Sequence, residues 1–64
     1  MQTEFNSVKE VMSQFDSHSL NFTNFHPGTY DERAEPNLLF IWIKGTRHVI
    51  HTYQKIDEVW KEVF

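Results

Sequence analysis

The chain has 64 residues and a mass of 7.7 kDa, enough for one small domain that buries only about 60 % of its unfolded surface. With 39 % apolar and 23 % charged residues, two Gly, two Pro and no Cys, it is neither collagen-like nor low-complexity, and it has no disulfide framework and no thiolate metal site. Six basic residues against nine acidic ones give a net charge of −3, the wrong sign for non-specific phosphate binding and too mild for a mimic of DNA.

The first predicted element is a helix over roughly residues 4–18. Phe5, Val8, Val11, Met12 and Phe15 follow one face of a 3.6-residue period. Ser7 and Glu10 fit a capping box, with Thr3 as a cap for an earlier start. The polar run from Asp16 to Ser19 ends the helix. A short strand is expected at Leu20–His26, with Leu20, Phe22 and Asn24 on one side and Asn21, Thr23 and Phe25 on the other. Pro27 and Gly28 then suit the second and third positions of a type II turn. Residues 29–37 are polar and acidic and read as a loop bounded by Pro36, long for so small a domain.

Leu38–Ile43 is an unbroken apolar run rich in aromatic and β-branched residues, which marks a strand. Gly45 and Thr46 suit a two-residue type II′ turn, and residues 47–54 form the return strand. That turn fixes a register. One face then carries Leu38 with Tyr53, Phe40 with His51, Trp42 with Val49 and Lys44 with Arg47. The other carries Leu39 with Thr52, Ile41 with Ile50 and Ile43 with His48. A slip of one residue exchanges the two sets. From about Lys55 to the end, Ile56, Val59, Trp60, Val63 and Phe64 recur at helical spacing, with Asp57 and Glu58 in the first turn, where the helix dipole favours them. Trp60 is expected in the core, and Phe64 docked.

The expected fold is α+β in the order α-β-β-β-α, a three-stranded antiparallel sheet with two helices on one face, as a single domain spanning residues 1–64. The helices cover only one face. The other keeps an apolar patch, and such patches mark interaction sites. The expected contact surface is the aromatic face bearing Phe40, Trp42, His51 and Tyr53, within a chain that is 16 % aromatic. The function this implies is non-enzymatic: a small cytoplasmic binding and regulatory protein, inhibitory in the manner of phage or mobile-element proteins. Its partner is a protein, or a second copy in a homodimer.

Catalysis and cofactors find little support. The serines are explained by capping around the first helix, the glycines are too scarce for a phosphate-binding loop, and the carboxylate pairs sit in a loop and at a helix start. His48 and His51 point to opposite sides of a strand, so no metal site is expected, and neither a cofactor nor a small-molecule substrate is assigned. No apolar run reaches the about 18 residues of a membrane span, and no leader segment is evident at the start. The alternative is a nucleic-acid contact at the basic hairpin tip, through Lys44, Arg47 and His48. The stretch Ile43–Ile50 resembles the strand of HicA-type toxins over about eight residues. Those are small RNA-cleaving domains of helix–strands–helix order with a Gly-Ser-His motif. Here Thr46 stands in place of the serine and Arg47 intervenes before His48, so the resemblance implies a role for His48 alone.

Overall fold

Leu38–Ile43 forms strand β3, with the bounds its composition implies, and lies inside the sheet. The computed structural model describes residues 3–63. Around β3 lie β1 (Glu4–Phe5), α1 (Val8–Met12), β2 (Leu20–Thr23), β4 (Val49–Ile56) and β5 (Val59–Glu62). They build one five-stranded sheet in the order β1-β5-β4-β3-β2, antiparallel throughout. The expected three-stranded α+β fold with two helices is therefore corrected to a mostly β domain with one short helix. The helix–strands–helix order that the HicA-type resemblance implies is not the order found.

The second expected helix is a hairpin. Ile56 and Val59 are cross-strand partners, as are Lys55 with Trp60 and Gln54 with Lys61. Two residues separated by a two-residue turn are spaced i, i+3, like neighbours on a helix face, so apolar spacing alone does not distinguish the two. β-Branched Ile56 and Val59 favour the strand. Phe64 lies outside the described residues.

The first expected helix is short for local reasons. Ser7 caps it, its hydroxyl accepting from the Glu10 amide at 3.2 Å, while the Glu10 carboxylate accepts from the Asn6 amide at 2.8 Å. At the other end the Ser13 hydroxyl donates to the Glu10 carbonyl at 2.6 Å, and i→i+3 bonds from the Gln14 and Phe15 amides tighten the last turn and end the helix. Asp16 then accepts from the His18 amide and turns the chain toward β2. Phe5 is not helical at all. It lies in β1, pairs with Trp60 of β5 and is buried.

The hairpin between β3 and β4 also differs from expectation. Its loop spans residues 44–48, and the Thr46 amide donates to the Ile43 carbonyl, so Gly45, at φ +80°, is the third turn residue and not the first of a type II′ turn. The pairing of Trp42 with Val49 stands as the sequence implies. The next pair is Ile41 with His51, so Ile50 is an extra residue, a β-bulge. Every pair beyond it is displaced by one: Phe40 with Thr52, Leu39 with Tyr53, Leu38 with Gln54.

The bulge sorts the faces. Phe5, Leu39, Ile41, Tyr53 and Trp60 lie on one face and form the core with Val11 of α1, which is fully buried. Val8, Phe15, Leu20 and Phe22 pack against them. The opposite face holds Phe40, Trp42, Thr52 and Thr23. It is partly covered by the segment 24–37, which folds back with His26 edge-on to Phe40 at 5.3 Å between ring centres. The expected type II turn is present, with the Thr29 amide donating to the His26 carbonyl and Gly28 at φ +84°.

Candidate functional site

The four residues expected to share an aromatic face are split by the bulge. Phe40 and Trp42 lie under and beside the 24–37 segment, and Phe40 is buried at 6 % exposure. The Trp42 indole donates to the Thr23 hydroxyl at 2.9 Å, and that hydroxyl donates to the Phe25 carbonyl at 2.8 Å. His51 and Tyr53 lie on the α1 side instead. There the Phe15 ring sits 4.9 Å from His51 and 6.3 Å from Tyr53, and His51 Nδ1 is bonded to the Glu62 carboxylate of β5. Burial, and next the charge of Glu62, raises the pKa of the Tyr53 phenol above its ordinary value of 10.0.

Lys44, Arg47 and His48 all fall in the loop 44–48 and are exposed. Each has a local partner. The Lys44 ammonium donates to the Ser17 carbonyl at 3.3 Å, and the Arg47 stem lies against Gly28. The His48 amide donates to the Thr46 hydroxyl.

A concave feature lies on the α1 side. α1 crosses only part of that sheet face. Between Val8 at its start and the ends of β2 and β3 a cleft of about 400 Å³ remains. Phe22 and Leu39 form its floor together with Trp60, which the β4–β5 hairpin brings across from the far end of the sheet. Leu38, Phe25 and Pro36 wall it on the side of the long loop. Its polar lining is confined to Thr23 and Asn24. Loop geometry holds the wall in place: the Glu35 amide donates to the Asn24 carbonyl, the Leu38 amide to the Glu35 carbonyl, and the Lys55 amide to the Asn37 carbonyl.

No lining residue is titratable, so the cleft has no acid, base or metal ligand of its own. What it offers is burial. A site of this volume, mostly apolar with a few polar groups at the margin, has the character of a binding pocket. The His51–Glu62 pair lies outside the lining. Among the described residues no group of three or more His, Cys, Asp or Glu is placed to hold a metal ion, and no helix is long and apolar enough to cross a membrane.

Sequence reasoning missed this site because its walls come from segments read separately. By sequence, Val8 reads as one position of a helical stripe, Phe25 as part of a strand, Pro36 as a loop boundary and Trp60 as part of a second helix. The available signal was the placing of Phe25 and Pro36, two bulky apolar residues, at the margins of an otherwise polar stretch. Comparison with protein-family models, with curated proteins and with solved structures finds no match for the chain.

Proposed function

We propose that the protein is a non-enzymatic binding domain that regulates a protein partner by holding one of its apolar side chains in the cleft between Val8, Phe25 and Trp60. The observation that carries this reading is the lining itself, apolar on floor and walls, polar only at Thr23 and Asn24, and without a titratable group. Burying a leucine-sized side chain contributes about 1.5–3 kcal/mol, which is enough to anchor a partner whose other contacts add to it. A cytoplasmic setting is part of the proposal, and a chain without cysteine accords with it.

The test uses N-acetyl-leucinamide as a probe, titrated into the isotope-labelled protein and followed by amide chemical shifts. A probe with so few atoms binds with a Kd on the order of 1 mM. The expected result is saturable movement at Val8, Phe25 and Trp60. In an Asn24→Trp variant, whose new ring at an exposed margin fills the cleft, that movement is lost while the fold is kept. Saturation unaffected by Asn24→Trp, or movement confined to other residues, overturns the reading.

A further inference from the structure

The cleft continues into an open sheet edge. β2 is the terminal strand, and among the described residues nothing pairs with its outer side. The Lys44 amide donates to the Ser19 carbonyl, and the Ile43 amide turns the other way to the His48 carbonyl. In an antiparallel ladder the hydrogen-bonded positions alternate. Ser19, Asn21 and Thr23 therefore direct their backbone groups to β3, while Leu20 and Phe22 direct theirs outward. No backbone or side-chain hydrogen bond outside the sheet reaches Leu20 or Phe22 among the described residues. The row ends at Asn24, whose carbonyl is taken by Glu35.

Apart from its length of four residues, this edge lacks the devices that ordinarily blunt one. Leu20–Thr23 carries no charge, no proline and no bulge. The opposite edge is different. β1 has two residues, and its Glu4 carboxylate is paired with Lys61 at 3.2 Å. Phe22 belongs to both features of the open side, since its backbone faces outward and its ring floors the cleft.

The two ends of the row differ in charge: Lys44 lies beside Ser17 and Ser19 at one end, and the acidic segment 29–37 lies beyond Asn24 at the other. Asp31, Glu32 and Glu35 lie in the segment that walls the cleft, and Glu35 stands at the end of the row through its bond to Asn24. Arg33 offsets only Asp31, at 2.6 Å. A segment passing the Asn24 end of β2 approaches Glu35 and a stretch of net negative charge.

We infer that the partner presents an extended segment that adds to β2 as a sixth strand, seats one apolar side chain in the cleft and carries basic residues toward Glu35. This deepens the proposed function and rests on it. Backbone pairing with Leu20 and Phe22 supplies affinity independent of sequence. The cleft and the acidic segment select an apolar residue with a basic flank, the division of roles found where a strand is added to a sheet edge.

The probe is a blocked peptide of alternating leucine and threonine with two arginines at one end. Two relatives serve as controls, one N-methylated at alternate backbone positions and one with glutamates for the arginines. The expected result is slowed hydrogen exchange of the Leu20 and Phe22 amides on binding, and an affinity at least about tenfold weaker for each relative. Equal binding of the N-methylated peptide, or unchanged exchange at Leu20 and Phe22, overturns strand addition. If N-acetyl-leucinamide still moves Val8, Phe25 and Trp60 in that case, the cleft reading stands and only this inference fails. If it does not, both fail. Slowed exchange at the same amides on concentrating the protein alone assigns the edge to a second copy of this chain and overturns the separate partner.

Discussion

Ile56 and Val59 face each other across a two-residue turn whose residues, Asp57 and Glu58, both have positive φ, 51° and 67°. Positive φ at both central positions defines a type I′ turn, which favours Asn-Gly and matches the twist of the flanking strands. Glutamate in this region carries a steric penalty that glycine does not. Glu58→Gly is expected to raise stability by about 0.5–1 kcal/mol, read as a higher urea midpoint. The same change inside a helix lowers stability by about 1 kcal/mol, so the sign separates a hairpin from a helix.

Gly28 and Gly45 both have positive φ, 84° and 80°, yet only Gly28 is crowded. A Cβ at Gly28 lies 3.0 Å from Arg47 Cδ, whereas one at Gly45 meets nothing within 4 Å. Each Gly→Ala change costs about 1–2 kcal/mol for its backbone conformation. Gly28→Ala is expected to cost more than Gly45→Ala, and an Arg47→Ala background should bring the two together. Equal costs in the natural background would show that Arg47 does not pack on the turn.

Tyr53 holds its proton more tightly in the folded state, because burial and then Glu62 disfavour the phenolate. A group whose folded pKa is raised contributes stability that is complete below its unfolded value of 10.0 and is lost as pH rises through the folded value. In a Tyr30→Phe background, the urea midpoint is expected to fall as pH is raised above 10.0, and phenolate absorbance should lag the unfolded chain. Tyr53→Phe should remove this contribution. A Tyr30→Phe protein whose phenol titrates with the unfolded chain would contradict the packing of Phe5 and Phe15 around Tyr53.

Thr23 joins the indole of Trp42 to the carbonyl of Phe25. Thr23→Val keeps the shape and removes both bonds, with an expected loss of about 1–2 kcal/mol. Thr23→Ser keeps the hydroxyl and should recover most of it. Indole Nε1–H exchange in the two variants checks the assignment, since Trp42 should exchange faster only in the valine variant.

How far the sequence reveals this fold depends on whether local signals agree. Leu38–Ile43, the Ser7 cap and the Pro27-Gly28 turn are each over-determined by residue type, and each forms where the residues place it. The terminal hairpin is illegible because residues flanking a two-residue turn have helical spacing, and Asp57 and Glu58 suit a helix start better than a type I′ turn. The bulge at Ile50 has no local signature, since any apolar residue fits there. Yet it alone separates Phe40 and Trp42 from His51 and Tyr53. The proposed site is harder still, because Val8, Phe25, Pro36 and Trp60 meet only once the sheet is assembled.

The measurement closest to the central claim is a set of intermolecular NOEs between the methyl groups of bound N-acetyl-leucinamide and the protein. The account predicts NOEs to the Val8 methyls and to the rings of Phe22, Phe25 and Trp60. NOEs to Phe40 and Trp42 instead would place binding on the opposite face of the sheet and contradict it.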